Sequence, residues 1–238
     1  LLSFFASTDQ AMYFLPAERL RLYRDFKSLE VSDFNGLIRF YEQNEDGIRS
    51  LDFDEYLDCT VAYTFALYEA THYGKFAVMC DHLIEQVIMH NVDNWGGEDL
   101  YKRLLLKKAT ALYYQQEYAP AERILREIVK IYPFDPLAAL YLNKTLLRQK
   151  PNWLFHARAA SVLLALLAAA AIALEIFAFP RFFPQYTDVL QLSRNLLVAT
   201  SLASLSLAES GHALRCWFSV KKFVLHARRR KKDLDANS

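Results

Sequence analysis

The chain has 238 residues, 53% of them hydrophobic, and a net charge of only +1, so it has room for a helical domain and membrane segments together. That near-zero total hides a segregation: residues 1–100 hold 7 basic and 18 acidic side chains, residues 101–150 hold 10 and 4, and residues 151–238 hold 11 and 5. The three cysteines, Cys59, Cys80 and Cys216, have no spacing that suits a disulfide frame or a zinc knuckle, which excludes the stapled and zinc-ribbon classes and leaves reduced thiols as the expectation.

Six glycines, seven prolines, scarce strand-like alternation and long stretches of helical spacing predict an all-α chain. "LLSFFAS" is too short for a signal peptide and lacks its basic flank, so no targeting segment is assigned to it. Ser7 and Gln10 have capping-box spacing and predict a short helix before Pro16. "PAERLRLYRDFKSLE" places Leu20, Tyr23 and Phe26 on one helical face, and the next helix is expected from an N-cap at Ser32, with Phe34, Leu37, Ile38 and Tyr41 inward. Two further helices are expected over about Phe53 to His72 and Phe76 to His90, with "NVDNWGGED" as a loop.

From Leu100 the pattern sharpens. In "YKRLLLKKATALYYQQEYAPAERILREIVKIYPFDP", small residues at Ala109 and Ala121 let two antiparallel helices approach, Leu105, Leu112, Tyr118 and Leu125 fill the seam, and Pro133 stops the second helix. This stretch, about 102–135, resembles a tetratricopeptide repeat (TPR), with departures at Lys108, where the family favours leucine, and Gln116, where it often has glycine. Gly74, Phe76 and Leu83 hint at a degenerate earlier copy, and "FDPLAALYLNKTLLRQ", with Asp135 as cap and Pro136 in the first turn, reads as a following solvating helix. The resemblance implies stacked helix pairs that bind peptides or partner proteins, although one repeat does not supply the family's terminus-binding clamp. Lys102, Arg103, Lys107 and Lys108 are candidates for lipid phosphates or an acidic partner, set against a simple solvated basic face.

"AASVLLALLAAAAIALEIFAF", residues 159–179, is apolar all round and reaches about 30 Å as a helix, the depth of a hydrocarbon core. The aromatic "FAFPRFFPQY" that follows suits headgroup level, and Pro180 and Pro184 end the helix. A weaker span is expected over 195–214, returning as a hairpin with Ala199, Ala203, Ser206 and Ser210 as its small-residue seam. Four basic residues lie between Lys144 and Arg158, eight between Arg215 and Lys232, and only Arg181 and Arg194 in the connection, which puts both termini in the cytoplasm.

Three domains follow: a cytosolic all-α TPR-like body at 1–150, a transmembrane hairpin at 151–214 and a basic cytosolic tail at 215–238. Arg228, Arg229 and Arg230 of that tail are expected to meet anionic lipid; nucleic acid is not an expected partner, because no aromatic platform accompanies them. Glu175 and Arg194 are placed to pair at the outer end, and Glu209 and His212, three apart, to bond to each other near the inner end.

Catalytic patterns are thin: no phosphate loop, nucleophile elbow, HExxH or paired-cysteine site is present. The calcium-loop reading around Asp46 and Gly47 fails because the bidentate-acid position falls on Phe53. Glu69 with His72, and His82 with Glu85, have a spacing that helix bundles use for metals, but are better read as ordinary polar residues. The expectation is a non-enzymatic, cofactor-free adaptor on a membrane, provisionally the bacterial inner membrane, holding protein partners. The alternative is an effector or channel subunit that oligomerises through the hairpin, and a metal-dependent enzyme is a distant third.

Overall fold

A computed structural model of the chain describes residues 16–177 and 187–236, with side chains described for 18–173 and 191–236. The helix expected around Ser7, the turn with Pro180, Arg181 and Pro184, and the Glu175 side chain lie outside the described residues. Ten helices and one two-residue hairpin make up the regular structure among them, so the chain is all-α. The fold divides into two compact units, residues 1–116 and 117–238.

In the first unit, α1 (Pro16–Lys27), α2 (Phe34–Gln43) and the single turn α3 (Glu45–Arg49) precede the long pair α4 (Phe53–Glu69) and α5 (Tyr73–Met89). The expected N-cap at Ser32 moves one residue on, because the Asp33 carboxylate accepts the Gly36 N–H at 2.9 Å. The single helix expected there breaks at Asn44, whose side-chain amide donates to the Phe40 carbonyl. "NVDNWGGED" contains a tight β-hairpin, β1 (Asn94–Trp95) with β2 (Glu98–Asp99), turned by Gly96 and Gly97 at φ of +61° and +83°. Asp99 then caps α6 (Leu100–Tyr114).

Helix α4 lies at the centre, packed against α2 and α5, with α5 in turn against α6. Its buried threonines do not want for partners: Thr60 and Thr64 donate to the carbonyls of Tyr56 and Thr60, each at 2.7 Å. Tyr41 stacks on Tyr63, and burial pushes the Tyr41 phenol up to about 12. Cys59 and Cys80 are fully buried, and burial raises both thiols to about 12.

The turns after α4 and α5 share one device. Thr71 and Asn91 take φ of +61° and +50°, and the N–H groups that follow, His72 and Val92, reach back to the carbonyls of Leu67 and Val87 at 2.9 Å. After α6, Gln116 takes φ of +66°, the left-handed position that glycine occupies without steric penalty. The departure from the TPR pattern at Gln116 is therefore a non-glycine residue held where glycine fits best.

The second unit contains α7 (Tyr118–Ile131), α8 (Pro136–Arg148), α9 (Asn152–Phe177) and α10 (Thr187–Ala236). Asp135 caps α8 through the Leu137 N–H at 2.8 Å, with Pro136 in the first turn, as its sequence indicates. The basic stretch expected as a separate tail is instead the continuation of α10, a single helix of 50 residues spanning about 75 Å.

Two outcomes are expected. Thr71→Gly relieves a β-branched residue from the left-handed region and raises stability by about 1 kcal/mol, read as a higher melting temperature; an unchanged or lower value removes the strain. Cys59 and Cys80 resist maleimide at mildly alkaline pH until the first unit unfolds, and labelling as fast as in denaturant contradicts their burial.

Candidate functional site

Helix α9 is long and apolar enough to cross a membrane: of its 22-residue stretch Asn152–Ala173, only 11% of the apolar window is buried. A soluble core helix of this composition is enclosed by protein on most sides. Here the enclosure is one stripe. Leu154, Ser161 and Ala168 are buried and Ala157, Leu164 and Ala171 partly so, a spacing of three and four, while Val162, Leu163, Leu166 and Leu167 project outward at half exposure or more.

The stripe packs antiparallel on α10, which answers with the same rhythm: Leu197, Ser201, Ser204 and Ala208. Ser201 is buried and its Oγ donates to the Ser161 carbonyl of α9 at 2.8 Å, while Ser204 satisfies itself on the Ser201 carbonyl. Small side chains at Ser161, Ala168, Ser201 and Ala208 permit this approach. Leu196, Leu202 and Leu207 project outward as the leucines of α9 do.

The seam differs from the sequence reading. Ala199, Ala203, Ser206 and Ser210 lie on the exposed face of α10, two residues out of phase with the helix contact. The reason is polarity: the Ser201 face also carries His212 and brings Glu209 to its flank, and these three groups gain partners by turning toward α9. The hydroxyl of Ser210 needs no neighbour, since it donates to the Ser206 carbonyl of its own helix at 2.6 Å.

Charged partners at the Trp153 end of the hairpin also differ. Glu209 accepts from Arg158 across the two helices, through Nε at 2.7 Å and through Nη2 as well. His212, buried, does not reach Glu209; its ring meets Trp153 edge to face at 6.3 Å, with the Cys216 sulfur 3.8 Å away. Arg194 donates to the Asn195 side chain, and its expected pairing with Glu175 falls outside the described side chains. The missed partner, Arg158, was visible as the one cation inside an apolar stretch that faces a lone anion once the helices are paired antiparallel.

Beyond Glu209 the buried stripe of α10 continues without a break through Cys216, Val220, Val224 and Ala227, now facing α7 and α8. Arg228 donates to the Pro133 carbonyl at 3.0 Å and stacks over Phe134, and Lys231 donates to the Ile131 carbonyl at 3.1 Å. Two cations thus occupy the carboxyl end of α7, where unpaired carbonyls and the helix dipole favour them. Arg126 of α7 returns the contact over Phe223. Arg229 and Arg230 remain exposed.

The repeat residues fall at the expected elements: Ala109, Ala121, Leu125 and Pro133 are buried, and Leu105, Leu112 and Tyr118 half-buried. Helix α6 closes the first unit and α7 opens the second, so the boundary falls inside the repeat stretch. The basic cluster on α6 is engaged within the first unit: Arg103 with Glu98 at 3.0 Å, Lys107 with Glu69 at 2.7 Å and Lys108 with Asp81. Lys107 also lies over the Tyr68 ring at 4.0 Å. The Lys102 N–H serves the Asp99 cap. Of the Glu/His pairs, His82 bonds Tyr56 at 2.9 Å and Glu69 is held by Lys107, so each is drawn to a different neighbour.

Comparison of the chain with protein-family models, with curated proteins and with solved structures gives no match.

Reversing either charge, Arg158→Glu or Glu209→Arg, is expected to lower the melting temperature in detergent, the pair being worth about 1 kcal/mol, while the double exchange recovers most of the loss. A double variant no better than the worse single one would show that the two do not act as a pair.

Proposed function

We propose that the protein is a membrane-anchored adaptor whose α9–α10 hairpin is embedded in a bilayer and whose helical body holds partner proteins on one side of it. The observation that carries this reading is the division of surfaces on the hairpin: Ser201 and the Arg158–Glu209 pair find partners across the two helices, large apolar side chains of both helices face outward, and the outward hydroxyls of Thr200 and Ser210 are bonded to carbonyls of their own helix. Water would reverse that arrangement; hydrocarbon favours it. Helix α10 does not reach the apolarity of α9, and its hydroxyls explain why it depends on α9 as a neighbour.

The polar end of the hairpin supports an interfacial level at Arg158 and Glu209, with Trp153, edge-on to His212, as an amphipathic anchor. The excess of Lys and Arg on the Trp153 side favours that side as cytoplasmic, and Arg215, the basic residue nearest Glu209 on α10, favours an anionic leaflet there. The TPR resemblance over about 102–135 supports protein binding as the task of the helical body. No chemistry is assigned to it.

A second reading, assembly of several hairpins into a membrane effector, is favoured by one observation: Ala199, Ala203, Ser206 and Ser210 are left as an exposed small-residue stripe. Expressed in bacteria, the protein is expected to resist alkaline carbonate extraction. Cysteines introduced at Asp46 and Asp233 are expected to react on one side of the membrane and one at Gln185 on the other. A monomer or dimer in mild detergent accords with the adaptor, and a large homo-oligomer with leaky membranes with the effector. Release by carbonate, or reaction of positions 46 and 233 on opposite sides, refutes the membrane hairpin.

A further inference from the structure

Between α8 and the Trp217–Arg228 stretch of α10 lies an open apolar groove of about 460 Å³. Val220 and Val224 form its floor, and Leu140, Trp217 and Leu225 its walls. Leu140, Trp217 and Leu225 are each close to half exposed and line the same groove. The sequence reading of α8 as a solvating helix is thus incomplete, since a helix that ends an array carries a polar outer face.

The rim of the groove has one sign. Lys221 stands over the Trp217 ring at 4.7 Å and Arg228 closes the far end. Residues 136–148 contain no Asp or Glu, and residues 215–232 contain eight basic residues and no acidic one. An occupant must bring its own carboxylates.

We propose that this groove receives an acidic amphipathic helix of a partner protein, its leucine-type stripe seated on Val220 and Val224 and its carboxylates against Lys221 and Arg228. The inference rests on the membrane-adaptor reading, which also separates protein from lipid as occupant. Lys221 and Arg228 follow Glu209 by 12 and 19 residues, roughly 18 and 28 Å along the helix. A headgroup layer is only about 5–7 Å deep on each side of the hydrocarbon, so most of the groove lies beyond it. Its length of about two turns on α8 matches the contact of a short helix laid in a groove.

The test uses the full chain in nanodiscs of phosphatidylcholine and a fluorescent helical peptide of roughly four turns, with leucines at every third and fourth position and glutamates elsewhere. Binding is expected with a Kd on the order of micromolar, weakened at least about tenfold by Leu140→Ser with Leu225→Ser, and by Lys221→Glu. The same peptide with lysine for glutamate is expected not to bind. A photo-cross-linker at position 140 is expected to capture the acidic peptide. Binding that is absent or unaffected by these surface changes, or cross-links that go instead to phosphatidylcholine or to a second copy, overturns the proposal. Failure of the chain to enter nanodiscs overturns the membrane reading with it; entry without peptide binding overturns the groove alone.

Discussion

The way α10 meets α9 depends on the partners that Ser201, Glu209 and His212 find there. A helix carrying Ser201, Ser204, Glu209 and His212 has one face that demands partners and another that does not. Hydroxyls can turn back on their own carbonyls, but a carboxylate cannot, and Glu209 therefore fixes the rotation of α10 by reaching Arg158. With that rotation Leu154, Leu164 and Leu197 fill the seam, and Leu163, Leu166 and Leu167 of α9 and Leu196, Leu202 and Leu207 of α10 point outward. The apolar exterior is a result of the polar interior.

The stem obeys a different phase. From Ala208 to Val224 the buried positions recur every fourth residue, which at about 100° per residue carries the stripe about 160° around the helix, so the residues that meet α9 and those that meet α7 and α8 lie on different sides of one rod. Arg228 and Lys231 then reach carbonyls at the end of α7 that no N–H of that helix can serve. In the first unit the constraints are more ordinary: a threonine-bearing α4 buried by back-bonding, and turns forced into the left-handed region to reverse the chain within three residues.

Much of this was legible in the sequence. The apolar run of α9, the Asp135 cap and the helical class needed only composition and spacing. The phase of α10 was not legible, because small residues recur on two of its faces and only the contacts of Glu209 and Ser201 choose between them. The continuity of α10 was hidden for a related reason: a dense run of Arg and Lys reads as a solvated tail unless the carbonyls it will cap are known, and these lie almost 100 residues earlier. The basic residues of α6 misled in the opposite direction, since Lys107 and Lys108 are turned toward Glu69 and Asp81 of neighbouring helices.

The unbroken length of α10 has a mechanical meaning. Ser201 and Ala227 are 26 positions apart on it, about 39 Å of unbroken helix, so the ion pair with α9 and the aperture beside Trp217 are held at a set separation and azimuth on one shaft.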